Sequence, residues 1–541
     1  MRQFLSVCLV AAMVSGPVLT PVANAADAKT TTPIKHIVII FGENRSFDHY
    51  FGTYPNALNP AGEPVFNALP GTPTVNGLSS ALLTNNPNLN PANGSGAANP
   101  FRLDRSQANT QDMGHDYTPE QMAFDGGAMD LFPLNTGSAG PPPSAPPAVV
   151  LTNGLVMGYF DGNTVTALWN YAQHYAMSDN SYSTNFGPST VGAINLISGQ
   201  TNGVVNNING TGALIGDGNG GWSLIGDPDP YGDVCSSSSG EQTQMGGKNI
   251  GDLLNAANIT WGWFAGGFNL NVINPGGTSG CNRQSYSPVV GWQGDYVPHH
   301  TAFQYYASTA NPTHARPTSL KTVGYSGDAA NHDYDVDDFF AAVQAGNFPT
   351  VSFLKPISIH DAHPGNSDPL DEQEFVVKVA NFLQQQPEWT NTALIVLYDD
   401  SDGWYDHQIG TIINGSKTSA DALTGPGACG SGSNALAGLN PATLHAQGRC
   451  GYGPRQPLLV ISPWAKHNFV DHSVTDQTSV IRFIEDNWLG GQRIGQGSFD
   501  AIADSISSML DFTQTISTER YILDPSTGEP ANTGSSSVAS R

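Results

Sequence analysis

Short apolar runs and amphipathic segments alternate along the chain, separated by long polar stretches. Runs rich in Ile, Val and Leu are typical of buried strands, whereas apolar residues spaced three or four apart indicate helices. The predicted strands are residues 37–40, 350–354, 393–398 and 457–461, and the predicted helices are residues 164–175, 335–344, 370–385 and 476–488. This alternation predicts an α/β fold with a mostly parallel central sheet that is covered by helices on both faces.

Two long irregular segments interrupt the alternation. Residues 55–150 are rich in Asn, Pro, Gly and Ala, and residues 202–329 include four consecutive serines at 236–239. We interpret both segments as long loop insertions in one catalytic domain that spans residues 26–525. The polar residues 526–541 are predicted to form a disordered tail.

The first 25 residues have the pattern of an export signal. Arg2 precedes an apolar stretch at residues 4–14, and residues 23–25 (Ala-Asn-Ala) form a small-residue cleavage site. The apolar stretch is too short for a membrane span, and we find no later segment of the required length. Because no twin-arginine pair is present, the pattern predicts Sec-dependent export to the periplasm or the extracellular space.

The net charge of the protein limits the kinds of partner that it is expected to bind. The 541-residue chain has a formal net charge of −25, although only 12% of its residues are charged. Such an acidic protein is not expected to bind nucleic acid or an anionic membrane surface as its main partner. An anionic substrate is still compatible with the composition, because a metal ion and histidines can reverse the potential inside one cleft. The sequence predicts no oligomeric state.

Four cysteines follow the predicted signal, which itself contains Cys8. In an exported chain they indicate two disulfides, for which three pairings are possible. We expect the pairs Cys235–Cys281 and Cys429–Cys450, because each would close one Gly-rich excursion of the chain. A zinc site is the alternative, but the sequence has no CxxC spacing to favour it.

Acidic and amide side chains follow two of the predicted strands. Glu43 and Asn44 come after the first strand, and Asp399 and Asp400 follow the strand at 393–398. Open α/β sheets bind ligands at the carboxyl ends of their strands. Burying two adjacent aspartates is costly unless a cation compensates, so the pattern favours a metal. The alternatives are a helix cap at Asn44 and a solvated acidic turn after residue 398.

A third centre lies at residues 186–192, Phe-Gly-Pro-Ser-Thr-Val-Gly. Gly187 and Pro188 indicate a tight turn into a helix, which places Ser189 in the first helical turn. Negative charge is favoured there, so the Ser189 hydroxyl is a candidate nucleophile. The alternative is that Ser189 or Thr190 only caps the helix.

Three strings resemble motifs of the bacterial phosphoesterase family that contains the secreted acid phosphatases and the non-specific phospholipases C. They are ENRSFDHYFG at 43–52, FGPSTVGAINLISGQ at 186–200 and YDDSDGWYDH at 398–407, and residues 451–488 resemble the family as well. The resemblance implies the three-layer α/β/α sandwich of the alkaline-phosphatase superfamily.

The resemblance also implies a ligand set for a divalent metal ion, consisting of Glu43, Asn44, Ser189, Asp399 and Asp400. These side chains offer only oxygen, which favours Ca²⁺, Mg²⁺ or Mn²⁺. The nearby acids and histidine in the third motif are expected to be scaffold, and a second metal is the alternative for them; they are Asp402, Asp406 and His407.

Four of the fourteen histidines lie in segments that match the acid-phosphatase branch, and the resemblance implies that they act on the phosphoryl group. They are His115, His299, His300 and His363. Imidazoles can bind phosphate oxygens and protonate a leaving group. His360 competes with His363, which we prefer because Pro and Gly follow it. The histidines expected to be structural are His36, His49 and His174.

The function implied by the resemblance is that of a secreted, metal-dependent acid phosphatase, which hydrolyses phosphomonoesters through a phosphoserine. Family phospholipases carry further C-terminal β-rich domains, whereas only about fifty residues follow the predicted helix that ends at Trp488. One alternative is a phospholipase C acting on phosphatidylcholine-type lipids, which would need an aromatic cage for the quaternary ammonium. The other is an inactive binding protein on the same scaffold.

Overall fold

A computed structural model describes residues 29–140, 146–216, 221–413, 421–423, 429, 450–516 and 519–531. Within these residues, nine strands form one central sheet. The strands are β1 (His36–Gly42), β2 (Ala176–Tyr182), β3 (Trp261–Ala265), β4 (Asp333–Asp335), β5 (Val351–Lys355), β6 (Thr392–Tyr398), β7 (Arg455–Ile461), β8 (Phe469–Asp471) and β9 (Thr475–Asp476).

The strand order in this sheet is β4-β3-β5-β1-β6-β7-β2-β8, with β9 also paired to β2. Neighbouring strands run parallel except at β7, which is antiparallel to both β6 and β2. In the register of β1 and β6, Gly42 lies opposite Tyr398. The residues that follow these two strands therefore emerge side by side at one edge, and the predicted mostly parallel sheet is confirmed.

Helices cover both faces of the sheet. In chain order they are α1 (Phe47–Phe51), α2 (Ser80–Thr84), α3 (Tyr117–Phe124), α4 (Phe132–Asn135), α5 (Thr166–His174), α6 (Ser189–Ser198), α7 (Ile250–Ala256), α8 (Val336–Gln344), α9 (Pro369–Gln384) and α10 (Thr478–Trp488). Helices α6, α7 and α10 pack in one group, and α1, α5, α8 and α9 in another.

The two helix groups lie on opposite faces of the sheet. Successive residues of a strand point to opposite faces, so the contacts of neighbouring strand positions show which face each group covers. Tyr398 at the end of β6 donates its hydroxyl to Glu372 in α9. Phe41 lies opposite Leu397 in the sheet, and its ring packs on Trp263. Trp263 in turn packs on Phe303, which belongs to a short segment that contacts α6. The arrangement is the expected three-layer α/β/α sandwich.

The predicted helices and strands are present with their ends shifted by at most two residues. The helix predicted at 335–344 begins at Val336, because Asp335 is its N-cap and accepts a hydrogen bond from the Asp337 amide. The helix predicted at 370–385 is α9, which begins with Pro369 after the cap residue Asp368.

Five strands of the sheet were not predicted, and β2 and β3 are the longest of them. Strand β2 is buried but has polar residues, and the Asp179 carboxylate is satisfied there by the Asn76 amide and by His472. Strand β3 and helix α7 lie inside residues 202–329, so that segment is not one irregular insertion as predicted. Strand β3 has only five residues, which are aromatic or small and include Gly262. A run this short does not show the alternation of apolar and polar positions that identifies a strand.

The remaining parts of both insertions are loops with short local elements. Residues 55–150 contain α2, α3 and α4, together with a two-residue strand at Phe101–Arg102. Residues 202–329 contribute small separate sheets, including a hairpin formed by Gln284–Ser287 and Gly291–Gly294. These loops lie around the edge of the sheet at which β1 and β6 end, as described below.

Both predicted disulfides are present, Cys235–Cys281 and Cys429–Cys450. At the C-terminus, the Gly528 carbonyl accepts a hydrogen bond of 2.8 Å from Asn170 in α5. Residues 526–531 are thus packed on the domain, while the rest of the predicted tail and the predicted signal at 1–25 lie outside the described residues. None of the helices in the described ranges combines the length and apolar character needed to cross a bilayer.

Candidate active site

The three sequence motifs meet at the carboxyl edge of the sheet. The Ser189 hydroxyl oxygen lies 3.1 Å from Glu43 Oε2 and 3.2 Å from Asp400 Oδ2. All three side chains are buried. The predicted nucleophile therefore lies between two of the predicted metal ligands.

The Ser189 hydroxyl does not cap its helix. Pro188 is the N-cap residue of α6, and no side-chain capping hydrogen bond is present there. The neighbouring Thr190 donates its hydroxyl to the His299 carbonyl and its amide to Asp227. The capping alternative is therefore wrong for Ser189, whose hydroxyl is directed toward carboxylates.

A close contact between main chains fixes the position of this helix. A Cβ atom added to Gly192, one turn after Ser189, would overlap the Asp399 carbonyl oxygen. That same carbonyl, together with the Tyr398 carbonyl, accepts hydrogen bonds from the Gln477 amide. Glycine is thus required at position 192 for the nucleophile helix to approach the loop that holds the aspartates.

The first motif is held by hydrogen bonds from its own backbone. Asn44 has a φ of 52°, a left-handed conformation that asparagine tolerates better than most residues. Its amide donates to Asp399 Oδ1 over 2.9 Å. The Glu43 amide donates to the Asp361 carbonyl, and the Arg45 amide donates to the Asp400 carbonyl. The turn after β1 is therefore attached to the loops after β5 and β6.

The side chains of this turn and of Asp399 form a compact polar cluster. One terminal atom of the Asn44 amide lies 2.8 Å from Glu43 Oε2 and 3.2 Å from Asp399 Oδ1. An NH₂ group at that position donates to both carboxylates, whereas an amide oxygen there completes a set of oxygens around a cation. Burial and the charge of Asp399 raise the pKa of Glu43 and of Asp400 well above the usual range. The residues present thus fit a hard divalent cation.

Lys355 is a site residue that sequence reasoning missed. Its buried ammonium lies 3.0 Å from Glu43 Oε1 and 2.7 Å from Asp361 Oδ2. Burial lowers the pKa of Lys355, but the two carboxylates outweigh that effect and raise it. The signal was present in the sequence, because Lys355 ends the apolar strand β5 at the same edge of the sheet as Glu43.

His300 lies beside the same carboxylate. Its Nδ1 is 3.1 Å from Glu43 Oε1, and the ring is buried. Burial, followed by the charges of His299 and Lys355, lowers the pKa of His300 well below the ordinary value, so the ring is neutral. Neither ring nitrogen makes a hydrogen bond to the described residues. His300 can therefore accept a proton from a molecule that enters the site.

His115 lies on the other side of the nucleophile. Its Nε2 is 3.9 Å from Asp400 Oδ2, and its Nδ1 is 2.9 Å from the Met113 carbonyl and 3.4 Å from Asp402 Oδ1. Burial lowers the pKa of His115, but Asp402 and Asp112 more than offset this and raise it to about 9. His115 is therefore a proton donor at neutral pH.

The other two predicted histidines join this group. The His363 ring centroid is 6.3 Å from those of both His115 and His300, and the His299 ring centroid is 4.4 Å from that of His300. His360 instead faces Glu374 at 4.0 Å, away from the nucleophile. The structure thus brings together all four of the histidines that the sequence selected, and it separates the competitor from them.

The histidines expected to be structural make buried packing contacts. His36 bonds the Pro349 carbonyl, and His49 bonds the Gly158 carbonyl. His174 stacks on Tyr521 with ring centroids 3.9 Å apart. Each of the three rings thus makes a hydrogen bond or a stacking contact within the fold.

A second acidic cluster is built from the same two loops as the first. Arg455 Nη2 lies 3.0 Å from Asp48 Oδ1 and 3.1 Å from Asp406 Oδ2, and His407 Nδ1 lies 2.6 Å from Asp48 Oδ2. Asp48, Asp406 and His407 are close enough to hold a metal, but Arg455 already supplies a cation. Asp402, which the sequence grouped with them, instead contacts His115 in the first cluster.

Comparison with known proteins assigns the chain to a protein family. The model of the phosphoesterase family matches residues 34–489. This chain belongs to that family.

Several curated relatives of this chain are named as phospholipases C. The non-hemolytic phospholipase C of Pseudomonas aeruginosa is 26% identical over 84% of this chain and 53% of the relative. The enzyme of the same name from Burkholderia pseudomallei is 27% identical over 86% of this chain and 56% of its own length. Phospholipase C A of Mycobacterium tuberculosis is 25% identical over 84% of this chain and 72% of its own. This chain spans about half the length of the first two.

Proposed function

We propose that this phosphoesterase cleaves phospholipids as a phospholipase C, through a covalent phosphoryl intermediate on Ser189. The observation that carries the proposal is the position of the Ser189 hydroxyl, between Glu43 and Asp400 and beside a group of histidines. The relatives with phospholipase names favour a phosphodiester over the phosphomonoester that the sequence led us to expect.

A divalent cation fits the oxygen atoms around Ser189. Glu43, Asn44, Asp399 and Asp400 would hold it, together with the serine oxygen. When bound, the ion supplies Lewis-acid stabilisation of the charge on the phosphoryl oxygens. The absence of nitrogen and sulfur from this set favours Ca²⁺, Mg²⁺ or Mn²⁺.

In the first step the Ser189 oxygen attacks phosphorus. The Oγ–P bond forms, the bond from phosphorus to the glycerol oxygen breaks in line, and the serine proton passes to a neighbouring carboxylate. His115, which is protonated at neutral pH, gives its proton to the departing glycerol oxygen. Diacylglycerol leaves, and the phosphorylated head group remains on Ser189.

In the second step water releases the head group. The water enters opposite the Ser189 oxygen, where the glycerol oxygen left, and His115, which is neutral after the first step, accepts a proton from it. The water oxygen bonds to phosphorus while the Oγ–P bond breaks. The serine oxygen regains its proton from the carboxylate that received it in the first step, and the phosphorylated alcohol departs. Two in-line displacements retain the configuration at phosphorus.

A second candidate is the phosphomonoesterase activity that the sequence resemblance implies. The observation that favours it is the number of nitrogen side chains around the nucleophile that can donate a hydrogen bond to phosphate oxygens, namely Lys355 and the four histidines. A terminal phosphate exposes three oxygens and two charges, which such a group would bind well. Both candidates share Ser189 and the metal ligands, so substrate choice separates them.

The deciding experiment compares substrates with purified, metal-loaded protein. The assay measures hydrolysis of phosphatidylcholine in mixed micelles and of a phosphomonoester such as p-nitrophenyl phosphate. We expect diacylglycerol and phosphocholine as products and slower turnover of the monoester. Turnover of the monoester alone would establish the second candidate and exclude the first.

The nucleophile is tested by a matched pair of variants. Ser189→Ala should lose activity on both substrates, whereas Thr190→Ala should keep most of it. Acid-quenched wild-type enzyme should carry the phosphorylated head group on a peptide covering residues 186–200. Inversion at phosphorus without a modified peptide would mean that water attacks directly.

We also propose that the protein works outside the cytoplasm. The export-type pattern of residues 1–25 and the two disulfides support this location. Fractionation of producing cells, with a cytoplasmic marker enzyme as control, tests it. Recovery of full-length, unprocessed protein in the cytoplasm would contradict it.

A further inference from the structure

One side of the molecule presents aromatic and aliphatic side chains to solvent. These residues, which we name the hairpin surface, are Ile273, Tyr286, Val289 and Trp292, with exposed fractions of 70%, 57%, 42% and 53%. Patches of this kind on soluble proteins mark contact surfaces.

The hairpin surface carries no exposed charge, although the protein has a net charge of −25. Between residues 253 and 294 the sequence contains one charged residue, Arg283. Arg283 is buried, and its Nε lies 2.6 Å from Asp295 Oδ2. The segment 253–294 itself thus offers a partner neither an exposed cation nor an exposed anion.

Two of the four side chains contact each other, and the other two are carried by adjoining segments of the chain. Tyr286 and Trp292 lie opposite each other in the hairpin, with ring centroids 5.3 Å apart. A Cβ atom on Gly276 would lie 2.8 Å from the Trp292 ring, and Asn274 donates to the Gln284 carbonyl. The turn that carries Ile273 therefore packs directly against the hairpin.

The hairpin is attached to the loops that carry two of the site histidines. Gln293 donates to the carbonyl of Gly365, two residues after His363. Asn109 donates to the Val289 carbonyl, and the nearby Asp112 lies 3.6 Å from His115. The hairpin surface and the active site therefore share their supporting loops.

We infer that the hairpin surface docks on a zwitterionic lipid surface such as a phosphatidylcholine bilayer. Trp and Tyr side chains favour the head-group region, and Ile and Val gain from burial beneath it. An anionic membrane would repel a protein of this charge, so the neutral head group fits better. The inference rests on the proposed phospholipase function, because docking would bring lipid head groups to the loops of His115 and His363.

The test measures binding and turnover separately. Ser189→Ala protein, which cannot turn over lipid, is sedimented with phosphatidylcholine vesicles, with and without the added changes Tyr286→Ala and Trp292→Ala. We expect the double change to weaken binding by about tenfold or more. Trp222→Ala is the matched control, because Trp222 is also exposed but lies in a separate small sheet, and it should bind like the parent.

In the active background, the same double change should slow hydrolysis of vesicles and leave hydrolysis of a monomeric short-chain phosphatidylcholine unchanged. Circular dichroism confirms folding of each variant. Equal vesicle binding with and without the two aromatic side chains, or preference for phosphatidylglycerol vesicles, would overturn the inference. If the parent binds but no lipid is hydrolysed, docking stands and the proposed function fails.

Discussion

Two acidic clusters built from the same two loops differ in how their charge is balanced. The first contains Glu43, Asp399 and Asp400, and the second contains Asp48 and Asp406. All five carboxylates are buried. The second cluster contains Arg455 and His407 for its two acids. The first has three acids but only two cations beside them, Lys355 at 3.0 Å from Glu43 and His115 at 3.9 Å from Asp400.

The comparison shows which acids are available to an external cation. Buried carboxylates are costly unless they are paired, and a pair within the chain leaves no charge for a ligand. The Arg455 cluster is therefore closed and contributes to the fold. The Glu43 cluster retains uncompensated negative charge, which is the property that binding a divalent ion requires.

The strongest test removes the charge of one acid in the first cluster. Asp400→Asn should lose the bound metal and slow turnover by roughly a thousandfold, since Lewis-acid stabilisation amounts to several kcal/mol. In chelator, its melting temperature should equal or exceed that of the wild type, because repulsion with Asp399 is removed. Metal analysis and differential scanning fluorimetry measure both. A variant that keeps its metal and rate would exclude Asp400 as a ligand.

Arg455→Met should show the opposite pattern. It leaves Asp48 and Asp406 buried beside one histidine, so we expect the free energy of unfolding to fall by about 3–5 kcal/mol. Folded protein should still bind its metal. Arg482→Met is the control, because Arg482 pairs with Asp486 at the surface and should cost less than about 1 kcal/mol. Equal losses in chemical denaturation would show that burial of the pair does not matter.

Lys355→Met tests whether a cation of the chain weakens metal binding by the first cluster. Removing an ammonium that lies 3.0 Å from Glu43 should make the cluster more negative and tighten divalent-ion binding by about tenfold or more. Competition with a metallochromic chelator measures this affinity, and Lys378→Met is a control outside the site. Weaker binding would mean that Lys355 acts mainly by holding the Glu43 side chain in place.

The smallest expected effect concerns a third carboxyl pair, Glu485 and Asp500, which both accept the Ile494 amide. Burial, then the hydrogen bond to Asp500, raises the pKa of Glu485 from its ordinary value of 4.5 to about 9. The folded state keeps a proton that the unfolded chain releases, so this stabilising contribution is complete below about pH 4.5 and is lost as the pH rises toward 9.

The melting temperature should therefore fall as the pH is raised from 5 to 9, and Glu485→Gln should make that fall shallower. Glu120 and Glu372, whose pKa values are raised by burial to about 7, act in the same direction. Thermal melts of both proteins across this range decide the point. An identical pH dependence in the two proteins would exclude a role for the Glu485 proton.

The helices and strands that were predicted from sequence are those in which the spacing of apolar residues along the chain matches the positions that are buried in the structure. Strands β1 and β6 and helices α8 and α9 have regular patterns and clear caps, so their bounds were nearly correct. Strand β2 was missed because its buried polar residues are satisfied by distant partners such as His472. Such partners are apparent only after folding.

The site was predicted to a similar extent. The motif residues that follow β1 and β6 converge with Ser189 because parallel strands end at one edge, a rule that needs only the strand assignments. Lys355 obeys the same rule but lies in a segment without a recognisable motif. The role of Arg455 required the structure, since it pairs with acids more than forty residues away in the chain.

The Cys429–Cys450 disulfide is connected by a hydrogen bond to the turn that precedes the nucleophile. The Cys450 carbonyl accepts the Phe186 amide, and the Cys450 amide donates to the Tyr117 hydroxyl. Phe186 begins the turn that leads to Ser189. The covalent link behind the nucleophile thus forms only where thiols are oxidised, so we expect the chain to acquire its full catalytic geometry in an oxidising compartment and to lack this support in the reducing interior of its producer.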